Sequence, residues 1–111
     1  MDPDIKAEWV RRLREDNIPQ TTNGLLGDVN GRRCCLGVLC DIAVEHGVIP
    51  LPEGGSALVY GDKEKYVLPR VVAEWASIDC TGRYYSTKSL AIDNDNGMPF
   101  PKIADVIEEY F

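Results

Sequence analysis

The stretch GRRCCLGVLCDIAVEHG, residues 31–47, decides how the rest of the chain is read. From about Arg33 to His46 its only helix breaker is Gly37, while Gly47, with Pro50 beyond it, supplies a C-terminal stop. Apolar side chains (Cys35, Leu36, Val38, Leu39, Cys40, Ile42, Ala43 and Val44) fall on nearly every face. A helix that is apolar all round is one enclosed by the rest of the protein. Residues 35–46 are therefore expected to form a central, buried helix.

Working outward, MDPDIKAEWVRRLRED at residues 1–16 reads as a first helix. Asp2 is a suitable N-cap, Pro3 fits the first helical position, and Ile5, Trp9, Val10 and Leu13 form an apolar stripe. A loop follows, with a turn at Asp28-Val29-Asn30-Gly31 and a short strand at Leu25–Leu26 as an expectation. Beyond the central helix, ALVY (57–60) and YVL (66–68) are β-prone enough to pair around the turn GDKEK. Leu68–Ser77 reads as a short helix with Pro69 in its first turn and Val72, Trp75 and Ala76 facing inward. The stretch DCTGRYYSTK (79–88) reads as a loop. A short helix ending at Gly97 and a last amphipathic helix, PKIADVIEEYF, with Ile103, Ile107 and Tyr110 or Phe111 on one side, complete the chain. The expected architecture is α+β: one mostly helical domain spanning 1–111, with a small two- or three-stranded antiparallel sheet.

A chain of 111 residues suits one hydrophobic core rather than two. No run approaches the roughly 18 apolar residues of a membrane span. The acidic, amphipathic first residues do not resemble a secretory leader. Eighteen Asp and Glu against twelve Lys and Arg give a net charge of −6. That charge argues against DNA, RNA and anionic lipid as partners. The cations are unevenly placed, with Arg11, Arg12, Arg14, Arg32 and Arg33 in the first third and acidic residues gathered in the last helix. Such polarity suits a local anion site or a homo-oligomer.

The four cysteines lack the paired spacing of a structural zinc site, and there is one histidine, His46, in the whole chain. No metal and no cofactor are expected. Cys34, at a helix N-terminus beside Arg32 and Arg33, is a place where the helix dipole would depress a thiol pKa. His46, however, would lie roughly 16–18 Å away along the same helix, too far to serve it as a base. Cys35 and Cys40 are read as small core residues and Cys34 as their half-buried neighbour. The run DNDNG at 93–97 holds oxygen ligands but lacks the spacing of a calcium loop, and helix C-capping by Asn96 and Gly97 explains it.

Two segments could bind a ligand. One is the approach to the central helix, where free backbone N–H groups, the dipole, Arg32 and Arg33 together favour a phosphate or carboxylate. It lacks the spacing of a P-loop or a dinucleotide fingerprint. The other is TGRYYST, where Arg83, Tyr84 and Tyr85 offer flat surfaces for a nucleobase and Ser86 and Thr87 hydroxyls. Arg33 and Tyr85 are the two residues expected in contact with ligand, both at least partly exposed. No catalytic triad or spaced carboxylate pair is present, so a non-catalytic binder is expected rather than an enzyme.

In the order EWVRRLR, GRRCCLGVLCDIA, LPRVVAEWA and SLAIDNDNGMPFPKIADVIEEYF, nearly the whole chain resembles a family of small bacteriophage proteins, especially from phages of actinobacteria. The resemblance carries no activity with it. It implies an accessory protein acting in the host cytoplasm on host machinery or host defence. Three readings follow. The first is a sponge that sequesters an anionic nucleotide signal of host immunity. The second is an inhibitor or adaptor that docks on a host protein through an apolar patch and the acidic C-terminal helix. The third is an enzyme acting on a nucleotide or protein and drawing on Cys34, His46, Asp41 and Glu45.

Overall fold

The computed structural model describes residues 1–111. Its elements run α1 (Pro3–Glu15), α2 (Cys35–Glu45), α3 (Arg70–Ala76), β1 (Arg83–Tyr85), β2 (Lys88–Ser89), α4 (Leu90–Asp95) and α5 (Phe100–Tyr110). The Asp2 carboxylate accepts the backbone N–H groups of Asp4 and Ile5 at 2.7 and 3.2 Å, so α1 starts where its cap dictates. Its stripe of Ile5, Trp9, Val10 and Leu13 is buried, and α1 packs on both α5 and α2. The Trp9 indole N–H donates to the Cys35 carbonyl at 2.9 Å, tying the middle of α1 to the first turn of α2.

Helix α2 is the centre of the core. Cys35, Leu36, Leu39, Cys40, Ile42 and Ala43 are wholly removed from solvent. Each large aliphatic side chain among them contributes about 1.5–3 kcal/mol by leaving water. Gly37 has a separate task. A Cβ there would stand 1.9 Å from the Leu26 carbonyl oxygen, so glycine is what lets the 25–27 segment lie directly on the helix. The Cys34 N–H in turn donates to Leu26 O at 3.0 Å.

The sheet is a two-stranded antiparallel hairpin, but it does not use the expected segments. Residues 57–60 and 66–68 do not pair with each other. Tyr60 and Glu64 exchange both backbone hydrogen bonds and close a tight turn before residue 66 is reached. The remaining donors go elsewhere, Leu58 N–H to Gly27 O and Leu68 N–H to Cys80 O. The hairpin falls instead in the stretch read as a loop, with Arg83 opposite Ser89, Tyr85 opposite Lys88, and Ser86-Thr87 as its turn. An extra residue, Tyr84, sits between the pairs on β1 as a bulge. The expected strand at Leu25–Leu26 is reduced to isolated bridges of Arg33 with Gln20 and Gly27.

The short helix before the hairpin begins two residues later than expected and ends at Ser77 in a left-handed conformation. Val72 and Ala76 are buried, while Trp75 is half-buried against His46. Ser89 caps α4, accepting Ile92 N–H at 3.2 Å, and Asn96 and Gly97 end it. Phe100, Ile103, Ala104 and Ile107 face α5 inward. No helix is long and apolar enough to cross a membrane.

Candidate functional site

At the start of α2, the expected anion site is already filled by the protein itself. Cys34 Sγ accepts Gly37 N–H at 3.4 Å, and the side-chain oxygen of buried Asn94 accepts Cys35 N–H at 3.1 Å. Arg32 Nε donates to Asp28 at 2.8 Å. Arg33 Nε donates to Asp41 at 2.8 Å, and its Nη1 to the carbonyls of Arg32 and Asp28. Asp41 also accepts the Tyr60 hydroxyl at 2.7 Å. Burial works against the Arg33 charge, but Asp41 and Tyr60 outweigh it and hold the guanidinium above its ordinary pKa. Arg33 is a structural clamp with 17% of its side chain exposed, its Nε and Nη1 already engaged within the protein.

Of the two readings of Cys34, a thiol activated by the helix dipole and a half-buried neighbour of the core cysteines, the structure is nearer the second: the residue is buried, and loss of solvent pushes it up to about 11, past what the backbone N–H groups of Gly37 and Leu36 can recover. Burial likewise pushes Cys35 and Cys40 well above the ordinary thiol value. His46 lies at the far end of α2, 3.2 Å from Glu8. Glu45 is held by Arg12 and Asp41 by Arg33, so the groups that an enzyme reading would draw on are spent in ion pairs. Nowhere do three His, Cys, Asp or Glu side chains gather to hold a metal ion.

Tyr84 and Tyr85 lie together for a local reason. The bulge breaks the alternation of β1, and both rings approach Tyr110, at 4.9 and 6.1 Å between centroids. Tyr84 is half-buried and donates its hydroxyl to Asp93, while Tyr85 is exposed. Burial first, then the bond to Asp93, push Tyr84 up to about 12. The contacts of this aromatic group are Asp93, Tyr110 and Phe111, and those of Arg32 and Arg33 are Asp28, Asp41 and Tyr60. The two expected halves of the site therefore have no contact residue in common.

What the fold does assemble is a pocket of about 300 Å³ on the hairpin itself. Arg83 and Lys88 bring charge to it, and Thr81, Ser86, Thr87 and Ser89 bring hydroxyls. Ile92 supplies an apolar edge. Both cations are exposed and lie outside every ion pair of the protein, unlike Arg11, Arg12, Arg14, Arg32 and Arg33. Asp79 stands behind them. The Thr81 hydroxyl and backbone N–H bind its carboxylate and hold it below the usual range, with Arg83 adding to the effect. Ser89 Oγ is engaged in capping, which leaves the turn hydroxyls of Ser86 and Thr87 for a ligand.

Arg83, Ser86 and Thr87 were named from the sequence as candidate contacts, whereas Thr81, Lys88 and Ser89 were not. Their signal was the run of hydroxyls and cations in TGRYYSTKS, which becomes a single surface only when it folds back as a hairpin. Fold and pocket together define a small, mostly helical α+β domain with a basic, hydroxyl-lined site. The chain belongs to the family described as Domain of unknown function (DUF8296), whose model matches residues 1–111. Among curated proteins and among solved structures nothing matches it.

Proposed function

We propose that this protein is a non-catalytic binder of a small phosphate-bearing ligand, held in the hairpin pocket. In the setting that the phage resemblance implies, it is a sponge for an anionic nucleotide signal of host immunity, working in the host cytoplasm. The observation that carries the reading is the pair of unpaired cations, Arg83 and Lys88, facing one pocket in a protein of net charge −6. In such a protein a positive pocket is a local exception, and it favours a compact anion over a polyanionic surface. A guanidinium fork, an ammonium and the hydroxyls of Ser86 and Thr87 match the acceptors of a phosphate. The volume is at the small end of ligand sites, so the phosphate and its sugar occupy the pocket while a base lies outside it, over Ile92 or the exposed Tyr85.

Calorimetric titration with inorganic phosphate and a panel of cyclic and ADP-ribose-type nucleotides tests this. A nucleotide should bind more tightly than phosphate, and Arg83→Ala and Lys88→Ala should each weaken it about tenfold, a loss of about 1.4 kcal/mol. Absence of binding across the panel, or binding indifferent to both substitutions, overturns the reading. The adaptor reading, as framed on the C-terminal helix, loses ground: Arg14 pairs with Asp105 at 2.7 Å and Glu108 at 2.6 Å, so α1 already answers much of that helix's charge.

A further inference from the structure

A second hollow lies away from the hairpin, between residues 48–50, the turn at 61–64 and the first turns of α3. It measures about 500 Å³, and a neighbouring hollow of about 470 Å³ shares Pro50, Gly61 and Asp62 with it, so the two form one continuous groove. Its walls are apolar, built from Val48, Ile49, Pro69 and Val71, and they continue to Leu51, which is 79% exposed. Carboxylates edge it: Asp62 and Glu64 on the turn, Glu74 on α3 and Glu53 beyond Leu51.

We infer that this groove docks an extended segment of a partner protein in which Lys or Arg alternates with apolar side chains. Charge complementarity chooses the cation. Asp62 and Glu64 enter no ion pair. Glu74 meets Arg70 only at 3.8 Å with both side chains largely exposed, a contact worth little. Arg70 and Lys63 are the cations of the groove against the four carboxylates, leaving it net negative. The apolar walls choose a peptide over a simple polyamine, because only a partner that also carries apolar groups takes Leu51 and Val71 out of water. A second copy of this chain is a poor occupant, since the arginines of α1 are committed to Glu8, Glu45, Asp105, Glu108 and Asp16. The groove is also preformed. Gly61 takes a positive φ of 57° with its Cα against Pro69, where a Cβ would meet the proline ring at 3.0 Å, so the turn is seated on the start of α3. A preformed wall spares a ligand the cost of ordering it.

The test is fluorescence anisotropy with a labelled nonapeptide of alternating Lys and Val, beside Lys–Ser and Glu–Val peptides of equal length. The Lys–Val peptide should bind, the Lys–Ser peptide at least about tenfold more weakly, and the Glu–Val peptide not at all. D62N/E64Q should weaken the Lys–Val peptide about tenfold, whereas E15Q/E109Q, which removes the same charge from exposed sites outside the groove, should change it less than twofold. Leu51→Ser, at a site that no core contact holds, should cost about fivefold and gives a reading even if the double variant folds poorly. Equal binding of Lys–Val and Lys–Ser peptides, equal loss in the two charge variants, or no binding of the Lys–Val peptide overturns the inference. None of these outcomes touches the hairpin pocket, whose ligands are anions.

Discussion

Asn94 caps the helix that Cys35 begins. Its side-chain oxygen accepts the Cys35 N–H at 3.1 Å from 59 residues along the chain. The same oxygen accepts from Gln20 at 2.9 Å, and the Asn94 amide donates to the Thr21 carbonyl at 2.8 Å. One wholly buried side chain thus joins α4, the 20–21 segment and the central helix. Removing it strands a buried donor and a buried acceptor together.

Asn94→Ala should therefore lower stability by about 2–4 kcal/mol, since each stranded polar group costs about 1–3 kcal/mol. Urea unfolding followed by circular dichroism checks this. A midpoint within error of the parent would show that water replaces the amide and that the cap is dispensable.

Arg33 and Arg83, both read from the sequence as ligand contacts, should separate in their effect on stability. Arg33→Ala takes the partner from Asp41 and the donors from two carbonyls, and should cost about 1–3 kcal/mol. Arg83→Ala, at an exposed and unpaired position, should stay within about 0.5 kcal/mol. Thermal melts of the two variants side by side decide the matter, and equal melting temperatures would reassign Arg33 to the surface.

Three thiols should be silent in the native protein. With burial raising Cys34 to about 11 and holding Cys35 and Cys40 well above the ordinary thiol value, none holds appreciable thiolate at pH 8, while Cys80 is only half-buried. A disulfide reagent should titrate one cysteine quickly in native buffer and all four in denaturant. A second fast thiol, placed at Cys34 by peptide mass spectrometry, would contradict this.

Stability should be lost toward acid. The bond from Arg12 holds Glu45 below its ordinary value. At Glu8, burial raises the carboxyl but is outweighed by bonds from His46 and Arg12. The folded state then binds fewer protons than the unfolded chain near the carboxylate range, so this contribution is present above the ordinary value of 4.5 and disappears as pH falls through the folded-state values. The denaturation midpoint should drop below about pH 4.5, and Arg12→Gln should flatten that limb; an acid limb of unchanged slope in the variant would assign it to other carboxylates.

Much of the helical framework was legible because its signals are local. Asp2-Pro3, Gly47, Pro69 and Gly97 act within a turn of themselves, and helical hydrogen bonds close four residues away, so the α1 stripe and the all-round apolar α2 read directly into burial. Arg83 and Ser86 were legible for the same reason, as chemistry carried within one short segment.

The tertiary structure decided everything that depends on a distant partner. Residues 57–60 and 66–68 had the composition of strands, but Gly27 and Cys80 took their donors, and RYY paired with KS instead. The start of α2 had the composition of an anion site, but Asn94 arrived from the far end of the chain to fill it, and Asp41 took Arg33. A buried N–H donates to whichever acceptor the packed core brings within hydrogen-bond reach, and local sequence holds no record of which one that will be.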